Sequence, residues 1–416
     1  MKRLNKYSFG VGDRFGHQGE AQLKAFIKAK EAGLDISPVW NKSNREHEII
    51  GTEPSDVRKE ADNAVKALGW SDNYFVDADH INMDSVERFI EPSDFFTIDV
   101  ASYIGKPAPA DDIDAFVAGC KQYTGEVSIP GIDETFNITD GDIRKVAEQY
   151  LYAAKMAGEI YRTIEKVKGT GNFITEVSMD EVPSPQTPIE LFFILKMLSS
   201  EKVPAQTIAP KFSGRFNKGV NYVGDVEGFA KEFEQDVLVL KEAVKEFGLP
   251  EELKLSVHSG SDKFAIYPHI GNIIKKYDTG IHVKTAGTTW LEEVIGLAKA
   301  DGEALDFVKA IYEKALEKQE ELCAPYADVI DIKSENLPSA EEVKGWTAQK
   351  MVDSLTHDNS CADYNPDMRQ LMHVGYKLAA MQIDRYFELL EKYSEIVNDC
   401  VFTNIYERHM KLLFGL

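Results

Sequence analysis

Cysteine is scarce in this chain: four residues in 416 (Cys120, Cys323, Cys361, Cys400), scattered and with no C-x-x-C pair. That excludes a disulfide framework and a structural zinc site, and it fits a reducing cytosol. Positive charge is also in deficit, with 47 Lys+Arg against 69 Asp+Glu and a formal net charge of −22. Nucleic acids and anionic membrane surfaces are held by concentrated positive charge, so neither is an expected partner. No run approaches the roughly 18 consecutive apolar residues of a membrane span. The opening MKRLNKYSFGVGD lacks the apolar core of a signal peptide. No G-x-G-x-x-G follows the first apolar run and no G-x-x-x-x-G-K-[ST] occurs, so the usual marks of an open nucleotide-binding sheet are missing. With 43% apolar and 28% charged residues, the expectation is a folded, acidic, cytoplasmic protein with a small-molecule partner.

What the chain does have is a repeated pattern. Short apolar runs alternate with stretches of helical period: Tyr7–Gly12, Ile36–Trp40, Tyr74–Val76, Phe95–Ile98, Phe173–Val177, Ala205–Pro210, Leu253–Val257 and Ile281–Val283. Such alternation indicates βα units and a parallel sheet buried on both faces, and eight units predict an α/β (β/α)8 TIM-type barrel. Two regions exceed the repeat. Residues 105–168 read as a helical insertion on the barrel rim, Pro/Gly/Asp-rich at first and strongly helical from Ile143. Residues 301–416 read as a C-terminal helical extension packed on the barrel formed by residues 1–300, serving as a lid or as a surface between copies in a homo-oligomer. Within the extension, Asn365-Pro366-Asp367 reads as a helix start, with a long helix through about Lys392.

Reacting groups in such barrels project from the C-terminal ends of the strands. Polar residues follow every apolar run here: Asp13-Arg14 and His17; Asn41 to His47; Asp77, Asp79 and His80; Asp99; Glu176; Lys211 and Arg215; His258-Ser259 with Asp262-Lys263; and His282, Lys284 and Thr285. Five of the nine histidines fall in these segments. One such residue is usually a turn or cap; eight in register predict a polar mouth equipped for acid–base chemistry and a divalent metal. Asp79, Glu176, His258 and His282 lie on nonadjacent strands and are the expected metal ligands, a mixed set suited to Mn, Co, Ni, Fe or Zn. His80, beside Asp79, either joins the mouth or points outward and caps the next helix. His373 either reaches the mouth or is packed in the extension. The segment Lys284–Thr289 has an anion-binding design, with Gly287 for close approach, Thr285 and Thr288 hydroxyls and a following helix N-terminus, helped by Lys284, Lys263 or Arg14. The alternative there is an ordinary threonine cap.

With these segments assembled, the sequence resembles the tagaturonate/fructuronate epimerase family of hexuronate catabolism. GVGDRFGHQGEAQLKA, PVWNKSNREH, FVDADHIN, PKFSGRFNKGVNYVGD, SVHSGSDKF and HVKTAGTTWLEE carry the resemblance, from residue 10 to about 293. It implies a metal-dependent sugar-acid epimerase. The two sugar acids differ at a carbinol beyond the carbon adjacent to the ketone, whose C–H enolisation does not acidify; a retro-aldol route suits this, with transient oxidation by a bound nicotinamide as the rival, for which no binding motif is present. In that scheme Asp13, Glu176 and Asp262 would be the acid–base groups. Arg14, His17, Lys211, Arg215, Ser259, Lys263, Lys284, Thr285 and Thr288 would hold the acid and its hydroxyls. A phosphosugar aldolase or isomerase on the same barrel, and a non-catalytic sugar-acid binding protein, are the competing readings.

Overall fold

The computed structural model describes residues 2–285 and 287–416. Eight parallel strands close into a barrel: β1 (Tyr7–Gly12), β2 (Ile36–Ser43), β3 (Phe75–Ile81), β4 (Phe95–Asp99), β7 (Ile174–Ser178), β8 (Thr207–Ala209), β9 (Lys254–His258) and β10 (Ile281–Lys284). An antiparallel hairpin, β5 (Gly125–Ser128) and β6 (Thr135–Ile138), lies outside the barrel. Each barrel strand alternates. Outward residues such as Phe9, Val76, Phe96, Val177, Ile208, Val257 and Val283 join one large core with the surrounding helices.

The inward positions explain both the closure and the site. Leu4, Val39, Phe75, Phe95 and Ile174 form a separate apolar plug at the N-terminal end. Above it the interior is polar: Ser8, Asp77, Thr97, Glu176, Ser256, His282 and Lys284 are all buried. Barrel interiors are ordinarily filled with branched aliphatics, so a charged column here needs internal partners for every group.

This column also accounts for strand ends that the apolar runs misplace. β3 continues through Asp77, Asp79 and His80 to Ile81, and β2 continues to Ser43. The run of apolar residues stops where inward positions become polar, while the hydrogen-bonded ladder goes on. The sixth run, in contrast, contributes only Thr207–Ala209.

Residues 105–168 hold the helix Ala110–Gly119, the unanticipated hairpin, and the helix Asp140–Lys168, which starts at a reciprocal cap between Thr139 and Asp142. The helix after β10, Thr288–Ala300, belongs to a second core with Gly302–Glu317 and later helices. Asn365 caps the helix Pro366–Val374 as expected, accepting from the Met368 N–H. The predicted long helix is instead three: Pro366–Val374, Tyr376–Ala380 and Ile383–Lys392, broken at Gly375 and Gln382. The chain end then returns to the barrel. Ser394–Thr403 and the π-helical turn Asn404–Met410 pack on the first barrel helix, Gly19–Glu31, and Lys411–Phe414 packs on Tyr267–Lys276. Val401, Ile405, Met410, Leu413 and Phe414 thereby complete the barrel core.

Candidate active site at the barrel mouth

The floor of the mouth is set by Lys284 on β10. Its ammonium lies 2.7 Å from both Asp77 Oδ2 and Asp79 Oδ1 and 3.4 Å from Glu176 Oε1, and it donates to Thr97 Oγ1 at 2.6 Å. Burial alone would neutralise it, but Asp77, Asp79 and Glu176 outweigh burial and raise its pKa, so it remains an ammonium. The carboxylates divide the charge unevenly. Burial lifts the Asp77 carboxyl to about 7 against the pull of Lys284, whereas for Asp79 Lys284 and His80 overcome burial and hold the group below its ordinary range. Glu176, also bonded by Thr207 Oγ1 at 2.7 Å, is held low by Lys284 and His258 despite its burial.

Above this floor stand two imidazoles. His258 ends β9 in register with Lys284. Its Nε2 donates to Glu176 Oε1 at 2.8 Å, which turns Nδ1 toward Asp180 Oδ2 at 3.3 Å. His80 is held at φ +53°, at an irregularity in the pairing of β3 with β4 between Ala78 and Ile81. A non-glycine residue in the left-handed region at a bulge is a common device for re-aiming a side chain. Here it places Nδ1 2.9 Å from Asp79 Oδ1 and Nε2 3.6 Å from Asp180 Oδ1. His80, Asp180 and His258 can each offer one donor atom with all three atoms within 4.8 Å of one another. Each imidazole thus has one nitrogen fixed by a carboxylate and the other facing Asp180, the arrangement of carboxylate–histidine–metal sites.

The residues predicted from sequence are distributed differently. Of the expected metal ligands, His258 is in the triad, while Asp79 and Glu176 sit one bond behind it as supports. His282 lies a layer deeper, in register with Ser8 and Ser256; Ser8 Oγ is 2.9 Å from its Nδ1, and burial takes its pKa down to about 3. Of the two readings of His80, mouth or outward cap, the structure has the first. Asp180 was missed; its only signal was an acid two residues beyond β7.

Asp13 accepts the backbone N–H groups of Phe15, Gly16, His17 and Gln18 at 2.5–2.9 Å, organising the turn into the first helix. Asp262 is fully buried and holds the extension: Arg369 Nη2 at 2.8 Å, His409 Nε2 at 2.9 Å, His357 Nδ1 at 3.2 Å and Thr288 Oγ1 at 3.3 Å. Lys263 donates to the Asn217 and Val220 carbonyls and to Ser261 Oγ, and burial brings its pKa down to about 7. Ser259 donates to the Lys284 carbonyl and Thr285 to the Gly10 carbonyl, both closing the rim. Arg14 pairs through Nε with Glu46 at 2.9 Å and stacks on Tyr376. Arg215 is exposed and donates to the Ile330 carbonyl, His17 is exposed against Phe387, and the Lys211 N–H donates to Gln186. His47, counted among the post-strand histidines, is packed in the helix Asn44–Ile50 beside Thr52 and Phe89.

A closed (β/α)8 barrel carrying paired imidazoles, carboxylates and a buried ammonium at the strand C-termini is a barrel enzyme. The family model described as "UxaE: tagaturonate epimerase" matches residues 1–413, and the chain belongs to that family; it is an isomerase-class epimerase. The tagaturonate/fructuronate epimerase of Thermotoga maritima is 30% identical over 432 residues, covering 98% of this chain and 81% of its own. In fold, the chain is similar to the crystal structures of fructuronate-tagaturonate epimerase UxaE from Cohnella laeviribosi, native and with one glycerol, each at TM-score 0.81 and 23% identity, covering 99% of this chain and 82% of that one.

Proposed function

We propose that this protein interconverts tagaturonate and fructuronate, with the substrate ketone directed at the His80–Asp180–His258 triad. Family membership supports the substrate. The observation that carries the chemistry is the triad itself, two imidazoles facing one carboxylate at 3.3 and 3.6 Å with their far nitrogens tied to Asp79 and Glu176.

The triad passes a test of fit for a divalent cation. His258 Nδ1 is buried without a hydrogen-bond partner among the described residues, and the gaps to Asp180 want a proton or a cation between them. One carboxylate and two imidazoles suit Mn, Co, Ni, Fe or Zn better than Ca or Mg. When bound, such an ion would supply Lewis-acid polarisation of the ketone oxygen.

The chain's own groups then divide the work of a retro-aldol exchange. Asp99, at the end of β4, is half-buried and among the described residues accepts only the Ala101 N–H. Burial raises its pKa; His80 and that N–H oppose the rise, and Glu181 and Asp180 add to it, which suits a group that must take and return a proton. Asp99 takes the proton of the carbinol hydroxyl. The bond between this carbon and the carbon next to the ketone breaks, its electron pair passing into an enediolate, and the carbinol carbon becomes an aldehyde. The aldehyde presents its other face, the bond re-forms, and Asp99 returns the proton to the new hydroxyl. No oxidant is consumed. Lys284, kept protonated by three carboxylates, supplies positive charge from the floor and is in the wrong state for an imine route.

The test is chelator-treated protein incubated with fructuronate and each candidate metal, followed by NMR in D2O. Metal-dependent formation of tagaturonate without deuterium on carbon is the expected result. Deuterium at the inverted carbon would exclude the retro-aldol route; no conversion with any metal would overturn the function. Asp99→Asn should lower kcat on the order of a hundred- to ten-thousandfold with metal content unchanged.

A further inference from the structure

The extension brings a histidine to the mouth with nothing to bind. His373, on the helix Pro366–Val374, is 1% exposed, and neither ring nitrogen has a hydrogen-bond partner among the described residues. It is aimed at the start of the 13-residue helix Thr288–Ala300: a methyl group at Gly287, the residue before that helix, would overlap His373 Nε2 and the Gly260 carbonyl. That helix has no side-chain cap and no acidic residue in its first turn; the Gly287 and Thr288 N–H groups donate to the Gly260 and Thr285 carbonyls, and the Asp262 carboxylate that accepts from Thr288 Oγ1 is already engaged by Arg369 and His409, so the helix start keeps partial positive charge.

Cations converge on the same place. Lys218 Nζ lies 3.3 Å from where a Cβ on Gly260 would stand, and it forms no ion pair among the described residues. Arg14 stacks on Tyr376, three residues beyond His373, and its Nη1 is buried without a partner. Burial, then Arg14, Lys218, Arg369 and Lys263, push the His373 imidazole well below its usual pKa, so it is neutral. Arg369 is neutralised by Asp262 and Arg14 by Glu46, though Arg14 Nη1 has no hydrogen-bond partner among the described residues; Lys218 forms no ion pair among them. An imidazole and a guanidinium nitrogen without partners among the described residues, beside a helix start with no side-chain cap, are the elements from which an anion site is built.

We propose that His373, with Lys218 and Arg14, binds the carboxylate of the sugar acid at the N-terminus of the helix Thr288–Ala300. The spacing suits one molecule bridging both sites. Gly260 follows His258 by two residues, so their Cα atoms are at most about 7 Å apart. Four C–C bonds separate ketone from carboxylate carbon in a six-carbon keto acid, about 5 Å when extended at ~1.5 Å per bond. The inference rests on the epimerase reading for its substrate, and it makes the extension the specificity element for acid over neutral sugar.

The experiment compares wild type, His373→Leu, His373→Gln and Lys218→Gln. One readout is kcat/KM for fructuronate relative to the neutral ketohexose that has a hydroxymethyl group in place of the carboxylate. The other, independent of turnover, is binding of glycerate against glycerol by NMR. His373→Leu and Lys218→Gln should each lower the acid-over-neutral ratio roughly tenfold, the loss expected for one charged hydrogen bond, and should weaken glycerate binding. His373→Gln, which keeps a donor, should recover part of both. Folded variants with unchanged ratio and unchanged glycerate binding would overturn the proposal. If His373→Leu fails to fold, half-buried Lys218→Gln decides. If wild type turns over neither sugar, the epimerase reading fails, and glycerate binding alone decides the anion site.

Discussion

At the scale of single residues, the mouth is governed by charge balance. His258 and His80 both have raised pKa values: burial opposes the rise, but Asp180 and Glu176 overcome it at His258, and Asp79 and Asp180 at His80. Without a cation these imidazoles hold protons that a metal must displace. Metal affinity should therefore strengthen as pH rises from about 5.5 to 8, with proton release measurable by calorimetry in buffers of different ionisation enthalpy; a pH-independent Kd would contradict the triad as ligand set. Lys284 makes the complementary prediction. Lys284→Met removes the ammonium that Asp77, Asp79 and Glu176 share, leaving buried carboxylates to repel one another. Loss of one partner from such a cluster costs about 3–5 kcal/mol, which urea denaturation would measure, and activity should vanish with it.

Between elements, Asp262 is the fastening. It joins the loop after β9 to Arg369 and His357 in the extension and to His409 in the π-helical turn. Asn404, five residues before His409, also reaches toward it at 3.5 Å. An α-helix would turn positions five apart away from each other by about 140°; the wider π turn brings both to one carboxylate. Burial would raise the Asp262 pKa, but Arg369, His357 and His409 overcome it and hold the group well below 3.8. A depressed carboxylate contributes stability above its unfolded pKa of about 3.9 and loses it as pH falls through the folded value. Asp262→Asn should thus destabilise the protein by about 3–5 kcal/mol at neutral pH, since Arg369 stays buried with only the more distant Glu292, at 3.7 Å, as counter-charge. The gap from wild type should narrow below about pH 4 in acid denaturation. An Asp262→Asn protein of unchanged stability but lost turnover would return Asp262 to a catalytic role.

For the molecule as a whole, the barrel is closed by the far end of the chain. The helix directly after β10 belongs to the second core, and residues from Ser394 onward fill the place between Gly19–Glu31 and Tyr267–Lys276. Deleting 394–416 removes Val401, Ile405, Met410, Leu413 and Phe414 from the barrel core, each buried. The truncated chain should expose that apolar seam, bind ANS and lose its cooperative thermal transition; a truncated protein that melts as sharply as the whole would show that the barrel closes without it. Among the described residues no helix is long and apolar enough to cross a membrane.

The barrel was legible because it rests on local, periodic signals. Outward apolar positions recur every second residue along the strands, helices intervene, and polar residues gather after each run. Family wording such as FVDADHIN and SVHSGSDKF pointed to the epimerases for the same reason, being contiguous. What only the tertiary structure decided were distances between residues far apart in sequence and the direction of individual side chains. His80 and His282 look alike as histidines at strand ends, yet a bulge turns one to the mouth, while the other, two residues before Lys284 on the same inward face of β10, lies a layer below. Asp13, Asp262 and Lys263 have the chemistry of catalysts, but backbone donors engage Asp13, the returning extension Asp262 and the Asn217 and Val220 carbonyls Lys263, and no local pattern encodes a partner 107 residues away such as Arg369. His373 reaches the mouth because the fold lays its helix there, against a glycine with no side chain to keep it out.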